Sequence, residues 1–579
     1  MTGLIDRSGW HRPIVMGTHA MASSGHHLAT LAGIEILKNG GNAIDAGVAM
    51  GLCINVTQPE LTNFGGVAPI MIYSALEDKV FNISGVGTWP KAVSIELIKK
   101  RGGKFTQDQY TSSVVPAAPD AWIKALDLFG TLSFSEVAKR AIELAQNGFP
   151  AYPFFINNLI RRKNVLKWKY VKSLFFPSGD LPNIGDLIVQ SDLARTLKRL
   201  VRVEERNLHL GRHGALIATR DEFYRGDIAK EIIGYLKDHD GFMTMEDMED
   251  FRVGLEEPVK TTYRDVDVYC CGPWSQGPNN VIALNILERY DLNNMDRNSA
   301  EMIHLMVSAL DLGFADRYQY IGDPRFVDVP IMELTSKRYA DVRSTLIELD
   351  KAWGKMPPPG DPRRFKAVIS TWKEPDIYLE RSVDRTSQDT SYCCAVDEEG
   401  NAFSATPSDG GQNMVPGLGV TISPRGRQAW LYPDHVNSVE PGKRPRLTPN
   451  PALAFKDGEL FMAYGTPGGD SQTQTMVQIL VNIVDFKMNV QQAIEFPRFR
   501  SANFPDSFWP HKYLPARLSI EARVPKKTIK ILKEMGHDVK IYPEWTFECG
   551  GACAIVVDKE RNILMGGADP RRECYALGY

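Results

Sequence analysis

The sequence predicts a soluble globular protein with a mixed fold of helices and strands, in the α+β class, and three observations carry this prediction. The first half of the chain contains runs with apolar residues at helical spacing. Residues 391–406 form two short apolar runs on either side of a polar turn, a pattern typical of a β-hairpin. Apolar residues make up 43% and charged residues 24% of the 579-residue chain, as in soluble globular proteins. This length suits two or more ordinary domains, or one large domain built from two halves.

The charge and the apolar pattern bear on partners and location. The formal net charge is −3, which gives no general attraction to nucleic acid or to an anionic membrane. Residues 1–18 contain several charges and no apolar core of signal-peptide length, and no apolar run approaches the ~20 residues that span a bilayer. We therefore expect a cytoplasmic, soluble protein whose partners include neither nucleic acid nor a membrane.

The eight cysteines are expected to be buried free thiols. Their density is far below that of a disulfide scaffold, and Cys549 and Cys553 lack a second Cys or His pair at zinc-finger spacing. The chain also lacks a cofactor motif. We therefore expect neither a metal nor a cofactor.

Helices are predicted mainly in the first half. Residues 28–38 carry an apolar face and end at Gly40, which can take the left-handed conformation of a helix cap. Asn42 can then cap a second helix over residues 43–53. Further helices are predicted over residues 133–146, 228–238, 279–290 and 301–318.

The character of the chain changes after residue 355. Residues 355–385 begin with a cluster of prolines and are rich in charge and poor in pattern, so we expect a mobile, exposed segment. A hairpin follows it, with strands over residues 391–396 and 402–406 joined by a turn that contains Gly400.

Thr390 stands where this segment meets the hairpin. A Thr hydroxyl is a weak nucleophile until a base removes its proton, and a Thr with a free α-amino group carries such a base, since an α-amine titrates near pH ~8. To free the amine, the bond after Asp389 must be cut, and the Thr390 hydroxyl can do this by attacking the Asp389 carbonyl. The arrangement indicates a self-cleaving hydrolase, although a Thr beside a strand can also be a plain strand former.

Gly468 and Gly469 form the second candidate component. They follow a predicted strand over residues 460–464 and precede a predicted helix capped by Asp470 or Ser471. Two glycines there allow close backbone approach, with N–H groups and a helix dipole aimed at one point. Because no Lys-Ser or Lys-Thr follows, as in a phosphate loop, stabilisation of an oxyanion is the better interpretation. A tight turn without chemistry is the alternative.

At these residues the sequence resembles the γ-glutamyltransferase family of N-terminal nucleophile (Ntn) hydrolases, and the match covers nearly the whole chain. The resemblance consists of many short blocks in the family's order. They lie at residues 27–30, 40–46, 147–150, 244–248, 314–317, 322–324, 389–392, 396–397, 400–402, 441–445 and 465–469.

The resemblance implies a four-layer αββα sandwich that is cleaved before Thr390. The products would be a large subunit of residues 1–389 and a small subunit of residues 390–579, each the partner of the other, and a dimer of such heterodimers is left open. Thr390 matches the family's catalytic Thr, and Ser408 falls where the family has a Thr that hydrogen-bonds the nucleophile. The glycine pair matches the oxyanion hole. The family's cycle passes through an acyl-enzyme that water hydrolyses or an acceptor amine intercepts.

Three stretches depart from family members that handle glutathione. Those members hold the α-carboxylate of the γ-glutamyl group with an Arg, but the aligned residues 84–90 contain none. The acidic residue that meets the α-ammonium is missing from residues 423–430, and a Ser-Ser pair is replaced by Leu447 and Thr448. Because an unpaired buried charge is costly, such a pocket should not favour an α-amino-acid zwitterion.

Arginines near these stretches point to an anionic or neutral acyl group instead, because guanidinium groups bind carboxylates in a bidentate manner. The predicted substrate-binding residues are Arg425, Arg427, Arg446, Thr448 and Trp89. The alternatives are that the arginines face solvent or the subunit junction and that Trp89 belongs to the core.

Other residues have structural interpretations. His304 lies on a predicted helix and is expected to be structural, and Asp316 and Arg317 are expected to form an ion pair with each other.

Residues 424–451 resemble the branch of the family that includes oxamate amidohydrolase and cephalosporin acylases. We therefore predict an autoprocessing amidohydrolase that cleaves a small, carboxylate-bearing amide through an acyl-enzyme on Thr390. One alternative is a true γ-glutamyl hydrolase or transferase that acts on glutathione or related amides. The other is an inactive family member that acts as a binding protein.

Overall fold

Helices and strands alternate through much of the chain in the computed structural model, which describes residues 11–105, 110–161, 167–176, 178–372, 390–411 and 414–579. These residues contain eighteen α-helices: α1 His27–Lys38, α2 Ala43–Thr57, α3 Ile95–Lys100, α4 Ala118–Phe129, α5 Phe134–Asn147, α6 Pro153–Arg161, α7 Lys169–Phe175, α8 Ser191–Arg206, α9 Gly211–Tyr224, α10 Asp227–Asp238, α11 Met245–Asp250, α12 Gly277–Leu287, α13 Ala300–Tyr320, α14 Ile331–Leu334, α15 Lys337–Ser344, α16 Ser471–Val484, α17 Val490–Glu495 and α18 Lys526–Glu534.

Every helix predicted from the sequence is confirmed, with ends shifted by a few residues. Asn42 caps α2 as predicted: its Oδ1 accepts the N–H groups of Ile44 at 2.9 Å and Asp45 at 3.0 Å. The Asp45 carboxylate in turn accepts the Asn42 N–H at 3.0 Å, which completes a capping box. After α1, Gly40 takes the predicted left-handed conformation with φ of 89°.

The described residues also contain twenty-three strands: β1 Val15–Gly17, β2 Met21–Ser24, β3 Thr62–Val67, β4 Ile70–Ser74, β5 Lys79–Ile83, β6 Phe149–Pro150, β7 Leu187–Ile188, β8 Leu255–Glu256, β9 Val259–Tyr263, β10 Val266–Cys270, β11 Cys393–Val396, β12 Ala402–Ala405, β13 Ser408–Asp409, β14 Met414–Val415, β15 Val420–Thr421, β16 Ala452–Lys456, β17 Glu459–Gly465, β18 Phe499–Ser501, β19 Arg517–Glu521, β20 Asp538–Tyr542, β21 Cys553–Asp558, β22 Ile563–Ala568 and β23 Tyr575–Gly578.

Two seven-stranded antiparallel sheets organise most of these strands. Sheet 1 has the order β1-β22-β21-β17-β16-β10-β9, and sheet 2 has the order β23-β2-β11-β12-β4-β5-β8. Residues beyond 390 supply the central strands of sheet 1 and two central strands of sheet 2. The two halves of the chain are therefore interleaved within each sheet, and neither half forms a separate domain.

Strand β11 shows how the sheets are buried on both faces. Its side chains alternate in direction, as in any strand. Cys393 and Ala395 pack in a core cluster with α1 and α2, whereas Cys394 and Val396 pack in a second cluster with residues of sheet 1. The opposite face of sheet 1 packs against α12, α13 and α16. Strand β11 is therefore buried between helices on one side and sheet 1 on the other, and sheet 1 packs against further helices.

The proline-rich segment agrees with its prediction only in part, since residues 363–372 are exposed or partly exposed. Residues 357–362 are mostly buried rather than exposed, because the Asp316 carboxylate accepts the Gly360 N–H at 2.9 Å. Arg343 lies 3.2 Å from the same carboxylate and donates to the Pro358 carbonyl at 3.0 Å. The predicted ion pair between Asp316 and Arg317 is therefore wrong. Residues 373–385 of the predicted mobile segment lie outside the described residues.

Several smaller expectations can be compared with the structure. All eight cysteines are buried and free, as predicted. His304 is buried in α13 and lies 2.9 Å from the ring of His537, which fits its expected structural role. Within the described ranges, no helix has the length and apolar character needed to cross a membrane.

Asp311 gives the fold a measurable pH dependence. Its carboxylate in α13 accepts bonds from Ser501 Oγ at 2.6 Å and Asn503 Nδ2 at 3.0 Å, and burial raises its pKa to about 7. A carboxyl with a raised pKa in the folded state stabilises the fold fully below its unfolded pKa of ~3.9, and this contribution is lost as the pH rises to about 7.

We therefore expect Asp311→Asn to gain stability relative to the wild type as the pH rises. Between pH ~4 and pH ~8 the difference in the free energy of unfolding should shift by about 4 kcal/mol in favour of the variant. Denaturant unfolding of both proteins across this range measures the shift, with the exposed Asp291→Asn as control. A pH-independent difference between Asp311→Asn and wild type would contradict this assignment.

Candidate active site

The β11–β12 hairpin brings Thr390 and Ser408 together. Cys393 lies opposite Ala405 in the hairpin, and Thr390 forms an isolated antiparallel bridge with Ser408 in the same register. The ladder is interrupted between them because Pro407 has no N–H to donate, although its carbonyl accepts the Ser391 N–H at 2.9 Å. The strand predicted from residue 391 therefore starts later, at Cys393, and Thr390 lies on its extension.

Two hydroxyl groups meet at this point. Thr390 Oγ1 and Ser408 Oγ are 2.8 Å apart, and each residue is at most 1% exposed. The structure thus brings together the predicted nucleophile and its predicted hydroxyl partner. Asp389, the residue on the other side of the predicted cleavage point, lies outside the described residues.

A buried ion pair contacts one of the two hydroxyls, that of Ser408. Arg425 is buried; its Nε donates to Asp409 and its Nη2 donates to Ser408 Oγ. Asp409 also accepts a bond from Ser423 Oγ at 2.5 Å. The sequence predicts that Arg425 binds a substrate carboxylate, and the structure shows that an acidic residue of the protein itself already pairs with its guanidinium. Asp409 itself was missed, since nothing in its local sequence indicates an ionic partner.

The Gly468-Gly469 turn has the backbone conformation that glycine favours. The φ angles are 130° at Gly468 and 58° at Gly469. The carbonyls of both glycines accept N–H groups from the first turn of α16, but among the described residues neither glycine N–H has an acceptor. Within the described part of the chain, both N–H groups therefore remain without an acceptor beside the N-terminus of α16.

Asp470, the residue after the glycine pair, makes side-chain contacts that the sequence did not predict. It occupies the predicted cap position of α16, but its side chain makes no cap bond. Instead, its carboxylate pairs with Arg317 of α13 and accepts the Ser507 Oγ–H at 2.6 Å and N–H at 2.8 Å. Burial by itself would raise the pKa of Asp470, but the Arg317 charge and these bonds hold it below its ordinary value.

Gln276 links the turn to Thr448. Its Nε2 donates to the Gly469 carbonyl at 3.1 Å and to the Thr448 carbonyl at 2.8 Å. The Thr448 hydroxyl accepts a bond from Gln428 Nε2 at 3.2 Å. The structure therefore places Thr448 in the network that supports the glycine turn.

The glycine turn and the nucleophile lie at neighbouring strand ends. Gly465 ends β17, and a Cβ at this position would lie 2.3 Å from the ring of Tyr392. Tyr392 is two residues beyond Thr390, and Gly468 is three residues beyond Gly465. Because only glycine permits this approach, the two sheets bring both candidate components to the same region.

The remaining predicted residues take different positions. Arg446 is buried, and its Nη1 donates to the carbonyls of Arg317 and Ile321 at 3.0 and 3.1 Å, so it caps the end of α13. Trp89 is 1% exposed and packs under the Arg425–Gln428 turn, where a Cβ on Gly426 would lie 2.3 Å from its ring. It therefore belongs to the core. Arg427 is partly exposed.

Comparisons with known proteins find relatives that match nearly the whole chain. Residues 29–579 match the family model described as gamma-glutamyltranspeptidase. The chain is 32% identical to the glutathione hydrolase-like YwrD proenzyme of Bacillus subtilis over 97% of this chain and 99% of that protein. It is 29% identical to the acylase ACY 1 proenzyme of a Pseudomonas species, over 95% and 92%. The crystal structure of cephalosporin acylase from Bacillus halodurans is similar with a TM-score of 0.85, at 25% identity over 100% and 99%.

Proposed function

This chain belongs to the gamma-glutamyltranspeptidase family of hydrolases and acylases, and on that premise we propose that it is an autoprocessing amidohydrolase with Thr390 as its nucleophile. The observation that carries the proposal is the 2.8 Å contact between Thr390 Oγ1 and Ser408 Oγ. It is supported by the glycine turn at the end of β17, where Gly465 lies against Tyr392. The names of its relatives, which include proenzymes, support maturation by cleavage.

Maturation separates residues 1–389 from residues 390–579. Thr390 Oγ bonds to the Asp389 carbonyl carbon, the C–N bond breaks, and the hydroxyl proton moves to the departing nitrogen. Water then hydrolyses the resulting ester, which restores the hydroxyl and leaves Asp389 with a new carboxylate. The product has a Thr whose hydroxyl and α-amine are adjacent, as nucleophile and base.

In turnover, the α-amine of Thr390 takes the hydroxyl proton while Oγ attacks the amide carbonyl of the substrate. The N–H groups of Gly468 and Gly469 donate to the oxyanion that forms. When the C–N bond breaks, the leaving amine takes the proton from the α-amine. Water then hydrolyses the acyl-enzyme and regenerates the hydroxyl. Ser408 supports the nucleophile through its hydrogen bond.

The proposal extends to the architecture of the mature enzyme. The order of helices, sheet 2, sheet 1 and helices supports a four-layer αββα sandwich of the Ntn-hydrolase type. Because central strands of both sheets come from residues beyond 390, the two products of cleavage should stay together as a heterodimer.

We propose a small, carboxylate-bearing amide as the substrate. The missing Arg and acidic residue of the glutathione-type pocket argue against a zwitterionic acyl group. Arg427 is our candidate for the carboxylate, because it is partly exposed whereas Arg425 and Arg446 are buried. A γ-glutamyl hydrolase is the second candidate, favoured by the relative named glutathione hydrolase-like.

A panel of amides distinguishes these candidates. The mature protein is incubated with small amides that carry one carboxylate, with neutral amides of the same size, and with γ-glutamyl-p-nitroanilide. Release of ammonia or amine from the amides that carry a carboxylate supports the proposed carboxylate-bearing substrate. Preferential release of p-nitroaniline would replace it with the second, and a processed protein without turnover of any amide would contradict both.

Arg427→Ala tests the proposed carboxylate site. If Arg427 binds the substrate carboxylate, its removal should raise KM for the preferred carboxylate-bearing amide about tenfold, because one charge-assisted hydrogen bond to the substrate is lost. The change in kcat should be smaller. Steady-state kinetics measure the change, with a neutral amide as the internal control. Equal changes for both amides, or none, would remove Arg427 from the site.

A further inference from the structure

A continuous line of polar contacts leads from an ion pair to the nucleophile. Asp409 accepts a bond from Arg425 Nε, Arg425 Nη2 donates to Ser408 Oγ, and Ser408 Oγ lies 2.8 Å from Thr390 Oγ1. All four residues are at most 1% exposed. Electrostatic effects along such a line are strong, because little water screens them.

The backbone of β13 is shaped to make these contacts possible. In a regular strand, Ser408 and Asp409 would point to opposite faces. Here the register with β3 shifts between the two residues, and Asp409 has a φ of 78°, which is unusual for a residue other than glycine. Both side chains can therefore reach the single guanidinium of Arg425. Such backbone strain persists only where surrounding contacts impose it.

The chemistry of arginine decides which atom donates and which accepts along this line of contacts. A guanidinium is always protonated and cannot accept a hydrogen bond, so Ser408 Oγ is the acceptor from Arg425. A hydroxyl that accepts a charge-assisted bond becomes a stronger donor through its own hydrogen. Thr390 Oγ1 is within reach of that hydrogen. Donation from Ser408 stabilises the negative charge that develops on Oγ1 as it loses its proton.

We infer that Arg425 is a positioning residue that activates Thr390 through Ser408, with Asp409 holding the guanidinium in place. This inference rests on the proposed function, because it concerns the same nucleophile. Its effect is present in the first attack, when Thr390 Oγ bonds to the Asp389 carbonyl carbon and its proton passes to the departing nitrogen. The rate of autocleavage therefore measures the effect of Arg425, and no substrate has to be identified first.

The experiment follows autocleavage of the full-length precursor by denaturing electrophoresis and intact mass. Arg425→Met, Ser408→Ala and the double variant are compared with wild type. We expect each single variant to slow cleavage about tenfold to a hundredfold. This is the change in rate that corresponds to the loss of one charge-assisted hydrogen bond in the transition state. Because Arg425 acts through Ser408, the double variant should cleave no more slowly than Ser408→Ala alone.

A matched ion pair controls for loss of folding. Arg220 donates Nε to Asp120 at 2.6 Å, and both side chains are buried, so Arg220→Met removes a comparable pair. We expect it to cleave at close to the wild-type rate. If Arg425→Met does not fold, Arg425→Lys keeps the charge without the planar fork and should cleave at an intermediate rate.

The outcomes separate the inference from the function on which it rests. Wild-type cleavage with an equally fast Arg425→Met or Arg425→Lys would overturn the inference, as would a double variant whose slowing is the product of the two single effects. An uncut wild type would instead overturn the proposed function.

Discussion

Thr390→Ala is expected to remain a single chain of 64.7 kDa and to show no turnover of amides. The substitution removes the hydroxyl that is proposed to attack the Asp389 carbonyl, so the α-amine that would serve as base is not released. Loss of a covalent nucleophile typically lowers kcat by about 10⁶-fold, which places the variant at the background rate. Denaturing electrophoresis and the amide panel measure the two effects.

Thr390→Ser is the matched control for this variant. It retains a hydroxyl on the extension of β11, opposite Ser408, so cleavage and turnover should persist at a reduced rate. Two bands in the Thr390→Ala protein, or turnover by that protein, would contradict the assignment of the nucleophile. Loss of cleavage in both variants would point to disturbed packing at residue 390 instead.

Gly468→Ala has the second large expected effect. At φ of 130° a side chain is strongly disfavoured, so the variant must rotate the backbone and move the N–H groups of the turn. Removal of one oxyanion donor typically lowers kcat by about 10²–10³-fold. We expect a fall of this size in kcat with a modest change in KM, measured on the preferred amide with mature enzyme.

Gly458→Ala controls for the effect of alanine at a glycine with positive φ. Gly458 lies at the other end of β17, has a φ of 83°, and has open space where the Cβ of an alanine would lie. It should lose some stability and keep its kcat. Equal effects of the two substitutions on kcat would remove the glycine turn from the proposed chemistry.

The local parts of this fold could be predicted because their signals lie within a few residues. Asn42 and Asp45 cap α2 from adjacent positions, and Gly40 ends α1 beside them. The hairpin centred on Glu399 carries a further signal in its register. It pairs Cys393 with Ala405, and the same count places Ser408 opposite Thr390. Ser408, which the family resemblance identifies, therefore also lies where the register of the hairpin places it.

The long-range ion pairs could not be predicted from sequence spacing. Arg317 neighbours Asp316, but the side chain of each points to a partner far along the chain, Asp470 and Arg343. Arg425 resembles a substrate-binding residue in the sequence because an arginine without a visible acid suggests an anionic ligand. Its partner Asp409 faces it only because β13 carries a register shift and a positive φ. Such contacts depend on tertiary structure, which local patterns do not encode.

The identity of the mature N-terminus tests the central claim most directly. Purified wild-type protein is separated into its chains, and the smaller chain is analysed by N-terminal sequencing and intact mass. We predict that it begins Thr390-Ser391-Tyr392 and carries a free α-amine, with the remainder of the precursor ending at Asp389. An active protein whose smaller chain begins at any other residue, or whose chain remains uncut, would contradict the account.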